Sequence, residues 1–100
     1  MAGTHSVRNT LTPESRIVLS QNQASCDLAG ELAVVNLKSG VYFGLDPMGT
    51  HVWNLIREPV TFRGLCDALM HDYDVDGSRL ESDMREFLNN LAEHGLVEIT

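Results

Sequence analysis

The chain has 100 residues, 43% of them hydrophobic, and a formal net charge of −7 at pH 7. That length supports one small core with little interior left for a closed active site, and no apolar run approaches the roughly 18 to 20 residues that span a bilayer. Charge placement excludes more than its size does: from Asp72 to Thr100 eight acidic residues (Asp72, Asp74, Asp76, Glu81, Asp83, Glu86, Glu93, Glu98) stand against Arg79 and Arg85, so this last stretch repels phosphate.

The N-terminal "MAGTHSVRNTLTPESR" carries no apolar stretch behind a basic start, so it does not read as a secretion signal, and a cytoplasmic location is the default expectation. Residues 1–15 are polar, without sustained period, and predict a flexible arm ahead of a domain over 16–100. "RIVLS" is short and β-branched. "QASCDL" alternates strictly, with Ala24, Cys26 and Leu28 on one side and Gln23, Ser25 and Asp27 on the other, the period of a half-buried strand. Ala29-Gly30 predicts a tight turn into the richer apolar run Leu32 to Leu37, and Lys38-Ser39-Gly40 turns the chain again into a strand over Val41 to Leu45.

At Asp46-Pro47 the period changes to a helical one. Asp46 can cap the helix, and proline suits its first position because the missing N–H would have had no intrahelical partner. This helix carries Val52, Trp53, Leu55 and Ile56 toward the core and stops at Glu58-Pro59. Thr61 is the next cap, followed by Phe62, Leu65, Cys66, Leu69 and Met70 at helical spacing and an end near Tyr73. "DVDG" turns with Val75 as an apolar plug; Asp76 or Ser78 caps a third helix with apolar positions Leu80, Met84, Phe87, Leu88 and Leu91; Gly95 stops it, and "LVEI" suits one last strand. The order predicts an α+β domain of winged-helix type, an N-terminal three-stranded antiparallel meander followed by three α-helices.

Little in the chain suggests chemistry. Cys26 and Cys66 form no C-x-x-C and are expected as buried thiols. His5, His51, His71 and His94 lack ligand spacing, so no metal site is expected; His71 and His94 suit helix C-termini and His51 a helix surface. "DYDVDGSRLESD" departs from a calcium loop, with Leu80 at its ninth position and Asp83 at its twelfth. There is no nucleophile elbow, activated cysteine or phosphate-cradling loop, hence no expected catalysis and no expected cofactor. A winged helix raises DNA binding, but "SRLESDMREFLNNLAEH" sets two arginines against four acids, opposing binding to a polyanion.

Protein or peptide binding remains. A small meander must have edges, and an edge offers unpaired N–H and C=O groups to an extended peptide. If "VYFGL" is an edge beside the acidic third helix, the two make a groove with backbone bonds from the strand, apolar pockets from the helix and carboxylates at the rim.

"GELAVVNLKSGVYFGLDPMGTHVWNLI" followed by "TFRGLCDALMHDYDVDGSRLESDMREFLNNLAEHGLVE" resembles the PqqD-like proteins, also called RiPP recognition elements, over roughly Gln23 to Glu98. The most specific matches are Leu37, Gly40, Tyr42, Gly44, Leu45 and Asp46, then Gly49, Thr50 and Trp53, then the terminal "F-L-x-x-L-x-x-x-G-L-V". The resemblance implies a non-catalytic chaperone without cofactor. Such a protein binds the leader of a ribosomally synthesised precursor peptide and presents it to a modifying enzyme, such as a radical SAM enzyme or a leader protease. It also implies that the leader adds as a strand beside Val41, Tyr42 and Phe43 and lies against Leu80, Asp83, Met84 and Phe87 of the third helix. The aromatic "VYFGLD" looks closer to lasso-type and other stand-alone relatives than to the pyrroloquinoline quinone member. The alternative is an acidic winged-helix regulator acting through DNA or protein contacts. "RIVLS" carries an ambiguity of its own, since it could be an additional strand, could pair with the peptide edge or could mediate a homodimer.

Overall fold

Residues 11–100 are described by a computed structural model. The alternating segments form the expected meander: β2 (Gln23–Leu28), β3 (Glu31–Asn36) and β4 (Tyr42–Leu45) lie in that order, all antiparallel. Ala29 and Gly30 both have positive φ, 57° and 91°, the geometry of a two-residue hairpin turn whose twist matches the strands it joins. The second turn is built by Asn36, whose Oδ1 accepts the N–H groups of Lys38 at 2.8 Å and Ser39 at 3.2 Å.

Three helices follow, each started by the residue its sequence marks. Asp46 caps α1 (Pro47–Leu55) by accepting the Gly49 N–H at 2.7 Å; Thr61 caps α2 (Phe62–Asp72) through the Gly64 N–H; Asp76 caps α3 (Gly77–Glu93) through the Ser78 N–H. Such caps satisfy amides with no intrahelical partner and contribute about 1 kcal/mol each. Gly95, at φ 75°, ends α3 in a left-handed conformation that disfavours any side chain. α1 ends at Leu55, earlier than Glu58-Pro59.

The second sheet was not legible as a unit. β1 (Arg16–Leu19) lies between β5 (Val60–Thr61) and β6 (Val97–Ile99), antiparallel to both. These strands are far apart in sequence, and Ile17 at their centre has no exposed surface. The α+β assignment stands, and with this added sheet the winged-helix description fits only loosely. Between the sheets and helices sits one core, whose fully buried members include Ile17, Val34, Val52, Trp53, Leu69 and Leu88.

Several expectations are corrected. The arm expected over 1–15 falls outside the described residues for 1–10, while 11–15 pack onto the body. Leu11 is buried and its carbonyl accepts a hydrogen bond from Arg85, and the Ser15 and Pro13 carbonyls accept the Phe62 and Arg63 N–H groups. β2 is exposed along almost its whole length, because the meander projects beyond the helices that cover β3. Its apolar side faces out: Ala24 and Cys26 sit opposite Val35 and Ala33, on the sheet face away from the core, so Cys26 is an exposed thiol. Val75, expected as an apolar plug, is 43% exposed, and so is Met70, although its sulfur lies against Gly77.

Candidate functional site

β4 is an edge strand: among the described residues it pairs only with β3. The ladder's alternation fixes which backbone groups are left over. The Asn36 N–H donates to the Val41 carbonyl at 2.9 Å, making that pair a hydrogen-bonded one; stepping along the register, Val34–Phe43 and Leu32–Leu45 also exchange bonds, whereas Tyr42 and Gly44 turn their N–H and C=O groups to the free edge. Side chains alternate the other way. Phe43 and Leu45 face the core side with Val34 and Leu32, while Tyr42, 70% exposed, lies on the outer face beside Val35.

Beside this edge runs α3. Between them opens a groove of about 400 Å³, walled by Phe43, Gly44 and Leu45 on the strand and by Asp83, Met84, Phe87, Asn90 and Leu91 on the helix, with Met48 and Gly49 of α1 at its base. A second depression of about 500 Å³, shared by Asp83, Phe87 and Asn90, extends it past Glu86. Asp83, Phe87 and Asn90 recur at spacings of four and three, one stripe of a helix whose neighbouring stripe, Leu80, Met84, Leu88 and Leu91, is the core face. Gly49 fits closely here: a Cβ at this position would lie 3.1 Å from Asp46 Oδ1 and 3.4 Å from Phe87 Cζ, crowding the helix cap and the Phe87 ring.

The rim is acidic, with Asp46, Asp83 and Glu86 around an apolar interior. The basic residue of this helix segment is turned elsewhere: Arg85 donates to the Leu11 carbonyl, stacks 5.0 Å from the Phe62 ring centre and pairs with Glu81 at 3.6 Å. The surface therefore suits an uncharged or basic extended chain and opposes a phosphate backbone.

Of the residues singled out from sequence, the fold brings Phe43, Asp83, Met84 and Phe87 together around one groove. Leu80 is buried one turn away in the core and does not line it. Val41 precedes β4 and its carbonyl is engaged with Asn36, and Tyr42 reaches the edge through its backbone while its side chain lies on the opposite face. Sequence reasoning missed Leu45, Met48, Gly49, Asn90 and Leu91 as lining residues. Asn90 was findable from the Asp83-Phe87 spacing, whereas Met48 and Gly49 enter only through the packing of α1 under the strand.

Among the described residues no three His, Cys, Asp or Glu side chains gather as metal ligands, and no helix is long and apolar enough to cross a membrane. Away from the groove, burial pushes the Cys66 thiol up, helped by Glu81 and Asp67 and opposed by Arg85.

An open strand edge beside an amphipathic helix is a geometry that can accept an extended chain. The chain belongs to the PqqD family: the family described as "Coenzyme PQQ synthesis protein D (PqqD)" matches residues 31–97. A solved structure titled "TbiB1 in Complex with the TbiA(beta) Leader Peptide" is 34% identical, with a TM-score of 0.76 over 81% of this chain and 94% of that one. A second, "Lasso peptide synthetase B1 complexed with the leader peptide", is 16% identical with a TM-score of 0.73 over 82% and 96%, and shares the fold. No curated protein matches the chain.

Proposed function

We propose that this protein is a leader-peptide-binding RiPP recognition element of the lasso type. It accepts the leader of a ribosomally synthesised precursor as a strand beside β4 and presents the rest of the precursor to a modifying enzyme, here a leader protease, without catalysing a step itself. The observation that carries this reading is the open edge of β4 facing the Asp83, Phe87 and Asn90 stripe of α3 across the groove. Four backbone groups, the N–H and C=O of Tyr42 and Gly44, supply register-fixing bonds that any extended sequence can make. Selectivity then falls to every second leader side chain, which enters the groove between Phe43 on the strand and Met84 and Phe87 on the helix. That the 34% identical TbiB1 is solved in complex with a leader peptide supports leader binding by this chain.

The test is a titration of the full chain with two synthetic leaders, the TbiA(beta) leader and that of any short precursor encoded beside this protein, and in parallel with duplex DNA. Saturable leader binding that shifts the Tyr42 and Gly44 amide resonances is the expected result. Duplex binding with a steep salt dependence and no response to either leader would refute the reading in favour of a nucleic-acid regulator.

A further inference from the structure

The groove is only as well defined as the placement of β4 against α3, and a polar and a ring contact tie the two near the C-terminus of the helix. Asn36, at the close of β3, does not line the groove. Its Oδ1 holds the Lys38 and Ser39 N–H groups of the β3–β4 turn, while its Nδ2 donates at 2.7 Å to the carbonyl of His94, the C-terminal cap of α3. The fit is tight: a Cβ on Gly95 would lie 2.6 Å from that same Nδ2. His94 extends the tie on both sides, packing its ring edge-to-face on Phe43 with centroids 4.6 Å apart and donating from Nδ1 to the Asn90 carbonyl at 2.8 Å. Phe43 and Asn90 are opposite walls of the groove.

We infer that Asn36 is a positioning residue that clamps the β3–β4 hairpin to the C-terminus of α3 and so holds the groove at the width a leader strand requires; this rests on the leader-binding reading above. One amide side chain serves two ends, its oxygen shaping the turn and its nitrogen anchoring the turn to the helix. The bond joins residues 58 positions apart and is a polar link between the hairpin turn and the helix that faces it. A clamp of this kind acts through preorganisation: without it the hairpin and helix must be brought to spacing at the moment of binding, and the cost appears as lost affinity.

Asn36→Asp separates the two roles. The introduced carboxylate keeps the acceptor that shapes the turn but loses the donor and sets an oxygen against the His94 carbonyl. Asn36→Ala removes both. With a leader that the wild-type chain binds, Asn36→Asp is expected to weaken binding roughly tenfold, the scale of one lost hydrogen bond, with a melting temperature close to wild type. A general loss of stability would not reproduce the accompanying signature, faster amide exchange confined to β4 and the last turn of α3 with β1 and β5 unchanged. Asn36→Asp binding as tightly as wild type while Asn36→Ala does not would assign the residue to the turn alone and overturn the clamp, as would exchange that accelerates uniformly. If the wild-type chain binds neither leader, the functional reading fails instead, and local exchange in free Asn36→Asp still decides whether the clamp exists.

Discussion

Gly44→Pro tests strand addition at its most exposed atom. The Gly44 N–H points to the free edge of β4, so β3 does not use it, and the position is outside the left-handed region with nothing within 4 Å of a Cβ placed there. Proline is tolerated on edge strands under these conditions, and its demand that the preceding residue be extended is already met by Phe43 in the strand. A leader strand pairing with Tyr42 and Gly44 engages four backbone groups. Proline deletes one donor, and its ring holds the incoming strand off the neighbouring carbonyl, so about two bonds are lost at about 0.5 to 1.5 kcal/mol net each. Affinity should therefore fall by about 1 to 3 kcal/mol, roughly five- to 150-fold. Gly44→Ala keeps the N–H, puts its methyl in open space on the outer face and should bind as wild type. Isothermal titration with a leader, beside thermal melts of all three proteins, makes the measurement. A folded Gly44→Pro chain with undiminished affinity would mean that the peptide does not add to β4.

Other parts of the fold make separate predictions. Ala29 holds φ 57° in an exposed turn, so Ala29→Asn should raise stability in urea by up to about 1 kcal/mol, since asparagine adopts this region more readily. Trp53 is fully buried, and its Nε1 has no acceptor among the described residues. Trp53→Phe gives up volume but removes that unpaired donor, so it should cost less than about 2 kcal/mol, against about 3 to 5 for Trp53→Ala, both read from denaturant melts. In the native protein a small alkylating reagent should label exposed Cys26 well before Cys66, whose thiol is pushed up chiefly by burial. Because the folded state holds the Cys66 proton more firmly than the unfolded state, this contribution is complete below the ordinary thiol range near about 8.5 and is lost as pH rises through the higher folded value. Alkaline melts should therefore show a gentler loss of stability in Cys66→Ala than in wild type.

How far the sequence could be read follows from which signals are local. Caps and stops depend on a few adjacent residues, and Asp46, Thr61, Asp76 and Gly95 all do what their type and neighbours imply. Alternation in "QASCDL" identifies a strand with two unlike faces but does not say which face is covered. In β2 the apolar face is the outer one, because no helix reaches it while Leu32 and Val34 of β3 receive all the packing from within. The groove was legible in part for a related reason. Asp83 and Phe87 stand out on one helical stripe, and Phe43 on the strand, but Leu80 falls on the core stripe, and periodicity alone does not fix the rotation of α3 to within one residue. The second sheet collects β1, β5 and β6 from three distant places, and such pairing has no local signature at all.

That second sheet nevertheless answers the question on which the function turns, whether the chain's own N-terminal strand competes for β4. Both edges of β1 are taken: Arg16 and Ile17 pair with Thr61 and Val60 on one side, and Ile17, Val18 and Leu19 with Ile99, Glu98 and Val97 on the other. The Arg16 N–H also donates to the Thr100 carbonyl and the Thr100 N–H to the Arg16 carbonyl, which fastens the strand to the end of the chain. To reach β4, β1 would have to break two ladders and draw Ile17 out of the core, and burying a side chain of that kind is worth about 1.5 to 3 kcal/mol before any hydrogen bond is counted. Among the described residues, then, the leader meets no internal rival. A leader adding to β4 would displace none of the described strands. Among the described residues the edge of β4 stays open because β1 is committed to the second sheet.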